Sequence, residues 1–161
     1  MLTAWVDCSA VELENSPRRR RGRSEGEVSR LTGLVIGAAI AVHRQLGPGL
    51  LESAYEECLG FELDWNGIAF RRQVPLPLEY RGHRLDCGYR MDFVVENQLI
   101  VELKAVDTLL PVHEAQVLTY LKLARLPLAL LLNFNTALLK HGLRRFALTD
   151  LAASAPSVPL R

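Results

Sequence analysis

Asp92, Glu102 and Lys104 have the types and the spacing for metal-assisted hydrolysis at a phosphate. Mg2+ and Mn2+ prefer hard oxygen donors and are held by one or two carboxylates together with waters and substrate oxygens. A lysine two residues beyond the glutamate can orient an attacking water and neutralise charge building on a phosphate. On its own, Glu102-Leu103-Lys104 is a commonplace tripeptide that suits any solvated strand face. The chemistry depends on Asp92 sharing that face.

Strand parity predicts that it does. Met91, Phe93 and Val95 point one way along their strand, and Arg90, Asp92 and Val94 the other. In the next strand Leu99, Val101, Leu103 and Ala105 form the apolar face, opposed by Ile100, Glu102 and Lys104. A two-residue turn at Glu96-Asn97 would set Asp92 against Val101, a charge against the core. A three-residue loop, Glu96-Asn97-Gln98, instead pairs Val95 with Leu99, Phe93 with Val101 and Met91 with Leu103, and sets Asp92 opposite Glu102. Such a loop needs a left-handed residue, here Asn97 or Gln98. Facing carboxylates repel unless a cation lies between them.

Hydrophobic periodicity outlines the elements that must hold this hairpin. Leu31, Leu34, Val35, Ala38, Val42 and Leu46 follow helical spacing, and Gly47-Pro48-Gly49 ends that helix. A second helix is expected over about 50–66, with Ala54, Cys58, Phe61 and Trp65 as its core face and Gly67 as its stop. Extended segments follow at 69–74, 76–80, 85–95 and 99–105, then a helix over 112–124 and strands at 128–134 and 142–148. Leu128 to Leu132 is apolar on both faces, which predicts a central strand. The order predicts an α/β fold, with the folded domain over 29–150 between a disordered tail at 1–28 and a frayed end at 151–161.

Other polar residues fall into place on these elements. His113, Gln116 and Tyr120 share one face of the late helix, a stripe able to hold phosphate or water, or else simply a helix end with half-buried polar groups. Glu52 lies in the first turn of the second helix, where a carboxylate favours the helix dipole whatever else it does. His43, at the end of the first helix, reads as structural. Arg71, Arg72, Arg81, Arg84, Arg90, Lys140, Arg144 and Arg145 could flank a groove and contact phosphates.

Composition narrows the class. The 161 residues carry a net charge of +1, so any contact with a polyanion must be local. Residues 1–28 balance five basic groups against five acidic ones, so the Arg18 to Arg21 run hides no imbalance elsewhere. Cys8, Cys58 and Cys87 are odd in number and widely spaced, which argues against a disulfide framework or zinc knuckle and fits a reducing cytoplasm. The apolar run Leu34 to Val42 falls short of the about 20 residues needed to span a bilayer, and Glu25, Glu27 and Arg30 separate it from the arginines. No Gly-rich phosphate loop, Ser-His-Asp order or zinc-ligand spacing is present.

Beyond these readings, Gly49-Leu50-Leu51-Glu52-Ser53-Ala54-Tyr55 resembles the signature that names the GxxExxY proteins, a branch of the PD-(D/E)XK nuclease superfamily. The resemblance continues through Asp86-Cys87-Gly88, the Asp92 strand, Val101 to Ala105, His113 to Gln116, Leu118 to Lys122 and Leu132 to Asn135, covering about residues 30–148. It implies a restriction-endonuclease-like core, a mixed central sheet flanked by helices. It further implies that Asp92 and Glu102 bind Mg2+ or Mn2+, that Lys104 is the catalytic lysine, and that Glu52 is the acidic residue donated by a core helix. Gln116 and Tyr120 resemble a Q-x-x-x-Y element that positions substrate, with His113 beside it. Met91 stands where the superfamily's name has proline.

The expectation is a nuclease acting on nucleic acid, DNA first, with two copies needed if a chain this small is to cut both strands of a duplex. The alternative is a binding or scaffold module that keeps the fold without turnover, motivated by small size, near-neutral charge and the lack of an appended recognition domain.

Overall fold

Alternation within strands and 3.6-residue periodicity within helices produce one mixed sheet with helices on both faces. The computed structural model describes residues 25–148. Its order is α1 (Glu25–Leu46), α2 (Glu52–Trp65), β1 (Phe70–Pro75), β2 (Leu78–Tyr80), β3 (His83–Leu85), β4 (Arg90–Val95), β5 (Leu99–Lys104), α3 (Pro111–Ala124), β6 (Leu128–Asn133) and β7 (Leu143–Ala147). The expected C-terminal end and most of the expected N-terminal tail, with Cys8, lie outside the described residues, while 25–28 form the first turn of α1.

The main sheet has the order β1-β4-β5-β6-β7, with β5 and β6 parallel and the other pairs antiparallel. β6 is buried along its whole length, as its apolar run predicts, although β5 rather than β6 is the middle strand. Val35, Ala39, Leu59 and Leu63 of α1 and α2 pack on Phe93, Leu103 and Leu130 on one face. Val117 and Leu121 of α3 pack on Ile100 and Leu131 on the other. A fully buried leucine contributes roughly 1.5–3 kcal/mol, so these two layers hold the sheet.

Helix faces depart from the expected ones. Tyr55, Leu59 and Leu63 are the buried stripe of α2, whereas Phe61 and Trp65 are 69% and 78% exposed. Both stripes are apolar at helical spacing, so periodicity alone fits either. Tyr55 decides between them: its hydroxyl donates to Gly47 O at 2.6 Å and accepts Leu50 N–H at 3.1 Å, and its ring stacks on Phe134. In α1 the small residues Ala38 and Ala39 face the core, and Leu34 and Leu46 are exposed.

The segment expected as one strand over 85–95 is two strands. Between β3 and β4 the Asp86 carboxylate accepts Gly88 N–H at 3.2 Å, and Gly88 takes a φ of 73°. This local turn outweighs strand propensity. β2 and β3 form a separate two-stranded hairpin.

Candidate active site

The β4–β5 hairpin keeps the predicted register near its turn, where Val95 pairs with Leu99 and Phe93 with Val101, whereas the expected pairs Asp92–Glu102 and Met91–Leu103 are not ladder partners. Gln98 N–H donates to Val95 O across the turn, with Glu96 and Asn97 at φ 51° and 54°. Two left-handed residues therefore make the turn, Glu96 in addition to Asn97, and Gln98 is not one of them. This is the twist that type I′ turns share with strands.

Past Phe93 and Val101 the ladder gives way to the site. Leu103 N–H donates to Asp92 Oδ2 at 2.8 Å, and Gln73 Nε2 reaches Asp92 Oδ1 at 3.3 Å. Gln73, opposite Asp92 on β1, has a φ of 48°. Alternation breaks there, and Met91 packs with Leu76 and Tyr120 on the α3 side instead of pairing with Leu103. The aspartate occupies the gap that this break opens.

Glu102 is 2% exposed. Its Oε1 accepts Lys104 Nζ at 2.8 Å, and its Oε2 is buried without a hydrogen-bond partner. Desolvation, then the Asp92 charge, pushes the Glu102 carboxyl up to about 7 against the opposing pull of Lys104. Asp92 is raised as well, first by burial. Burial draws the Lys104 ammonium down, but the neighbouring carboxylates, Glu102 foremost, outweigh it and leave it raised. Glu102 thus binds the ammonium directly, Asp92 feels only its charge, and one buried carboxylate oxygen is unsatisfied. Native proteins rarely leave such an atom unpaired, so a cation is what the donor set fits.

The end of β5 is fixed from β6. Phe134 N–H donates to Lys104 O at 2.8 Å, and the buried Asn133 side chain binds both Val106 N–H and Val106 O. A Cβ on Gly142 would collide with Asn133 O, so glycine is needed for β6 and the chain before β7 to approach. Asn133 was visible in the sequence as the one polar residue closing an apolar strand.

Glu52 is exposed at the first position of α2, and its charge acts on Asp92, Glu102 and Lys104. Gly49, at φ 101°, and the Tyr55 hydroxyl shape the loop that delivers it. Glu56, one turn further on and not singled out from the sequence, also acts on Asp92. Among the described residues no three His, Cys, Asp or Glu side chains cluster closely enough to hold a metal ion. Asp92 and Glu102 are the carboxylates available, with Glu52 influencing them through its charge.

On α3, Gln116 Nε2 donates to Tyr120 Oη at 2.7 Å, and the Tyr120 hydroxyl is raised by burial and by the charges of Glu102 and Asp92. His113 is engaged elsewhere: its Nδ1 accepts Leu110 N–H at 3.1 Å at the helix start. The arginines are partly committed too. Arg72 binds Glu56 and Glu57 and lies over the Phe93 ring, Arg71 binds Asn97, and Arg144 approaches Glu114. His43 donates from Nε2 to Thr136 O at 2.8 Å, the structural role expected of it.

A mixed five-stranded sheet flanked by helices, with its acidic pair and lysine on the central hairpin, defines an α/β restriction-endonuclease-like core. The family comparison agrees: the chain belongs to the PD-(D/E)XK nuclease superfamily, whose model matches residues 29–146. No curated protein and no solved structure matches it. No helix among the described residues is long and apolar enough to cross a membrane.

Proposed function

We propose that this chain is a Mg2+- or Mn2+-dependent nuclease that hydrolyses phosphodiester bonds in DNA, within the GxxExxY branch of its superfamily. The observation that carries the reading is Glu102 Oε2, buried without a partner beside the Asp92 carboxylate. Asp92 and Glu102 would hold the cation, which when bound supplies Lewis acidity toward water and phosphate oxygen. Asp92 is positioned by the Leu103 N–H, and Glu102 by Lys104. Lys104 keeps its proton and offers it as a hydrogen-bond donor to attacking water and to a phosphate oxygen. Glu52 adds negative charge at the rim that favours a cation in the site. Gln116 and Tyr120 form a neutral donor pair beside the groove to orient substrate, and His113 supports them through the α3 start.

The free thiols of Cys58 and Cys87 fit a reducing, cytoplasmic setting. Cutting both strands of a duplex would bring two such chains together. The test is incubation of purified protein with labelled single- and double-stranded DNA in Mg2+, Mn2+ or EDTA. Metal-dependent fragments are expected, and intact DNA in both metals would refute the reading.

A further inference from the structure

The β2–β3 hairpin stands apart from the main sheet, and every residue from Arg81 to Arg90 is exposed. It carries Arg81, Arg84 and, where the chain enters β4, Arg90, interleaved with Tyr80 (59% exposed) and Tyr89 (45% exposed). Among the described residues none of these arginines forms an ion pair, whereas Arg72 and Arg144 do. Glu79 faces Arg84 in the ladder without closing on it, and Asp86 is taken up by the turn at Gly88. Arg81 sits at the tip with a φ of 51°, followed by Gly82 at 77°, and its guanidinium lies 5.5 Å from the Tyr80 ring centre.

The base of the hairpin leads into the site. Leu76 N–H donates to Tyr89 O at 2.8 Å, and the Tyr89 ring meets Tyr120 edge-on at 6.3 Å. Arg90 is two residues before Asp92 on the same strand. With a net charge of only +1, the chain must meet a polyanion through a local patch, and this arm joins cations to aromatic faces next to the acidic pair.

We propose that the hairpin is a binding arm for single-stranded nucleic acid, with Arg81, Arg84 and Arg90 on backbone phosphates and Tyr80 and Tyr89 stacking on unpaired bases. It rests on the nuclease reading for the class of its ligand. Exposed aromatic rings are useful to unpaired bases and of little use to a stacked duplex. DNA and RNA strands share the chemistry, and the test separates them.

Fluorescence anisotropy in EDTA, with labelled oligo-dT, oligo-U and a duplex of equal length, reads binding without cleavage. Single strands should bind tighter than duplex, and the tighter of the two identifies the sugar. Arg81→Ala/Arg84→Ala should lower the slope of log affinity against log salt by about 1.4, the share of two phosphate contacts, and the Lys/Lys variant should restore it. Tyr80→Ala should weaken binding about tenfold, and Tyr80→Phe should retain it. Duplex binding equal to single-strand binding, or a salt slope indifferent to the arginine pair, overturns the inference. Cleavage in Mg2+ by a protein whose binding ignores the hairpin would sink this inference alone. Hairpin-dependent binding by a protein that never cleaves would sink the nuclease reading alone.

Discussion

Leu103 donates its backbone N–H to the Asp92 carboxylate at 2.8 Å, at the point where the β4–β5 ladder has ended. A side chain thus does the work of a strand partner, and in doing so it is held beside Glu102. One acceptor oxygen of Asp92 is engaged in structure, and its charge is felt by Glu102.

Asp92→Asn should therefore lower the Glu102 carboxyl from its value of about 7, because the largest charge raising it, second only to burial, is removed. A carboxyl-detected NMR titration of Glu102 in both proteins checks this. An unshifted Glu102 would mean that the Asp92 charge does not reach it.

Stability without divalent metal should fall as the pH rises. Glu102 ionises in the folded state at about 7 against an ordinary 4.5, and a raised acid contributes stability below its unfolded value that is lost through its folded one. Asp92 shifts in the same direction. Urea denaturation in EDTA should show a loss on the order of 3 kcal/mol between pH 4.5 and above 7. Mg2+ at the higher pH should recover much of it, and Glu102→Gln should flatten the profile.

Trp65→Ser should change stability by no more than about 0.5 kcal/mol, since the side chain is 78% exposed. Leu63→Ala, two residues earlier on the buried stripe, should cost about 2–5 kcal/mol. Paired denaturation curves compare the two, and a larger loss at Trp65 would contradict the observed face of α2.

Those two residues also show what was legible in the sequence. The hairpin register was readable because one slip would have put Asp92 against the core, so parity left a single solution. The face of α2 was not, because Tyr55-Leu59-Leu63 and Ala54-Cys58-Phe61-Trp65 are both apolar stripes, and the choice rests on where the Tyr55 hydroxyl finds Gly47 O. Gln116 and Tyr120 were correctly placed together by four-residue spacing. His113, three residues before Gln116, lies on the same face by helical spacing, yet its ring turns back to Leu110 N–H, a short-range cap that periodicity does not reveal. Met91 escaped parity because the left-handed Gln73 lies on the neighbouring strand, far away in sequence.

Gly142→Ala should destabilise by about 1–3 kcal/mol, because the added methyl meets the Asn133 carbonyl and cannot be accommodated without moving β6. Asn133 also holds Val106, so the variant should disturb the end of β5 as well. Thermal melts together with the amide shifts of Lys104 and Val106 read both effects.

Asp92 and the unpartnered oxygen of Glu102 are proposed to hold one divalent cation between them. Calorimetric titration of Mn2+ into the wild type, Asp92→Asn and Glu102→Gln proteins decides this. One ion per chain is expected in the wild type, with affinity lost in each variant while both remain folded. No binding to the wild type, or equal binding to all three proteins, would contradict it.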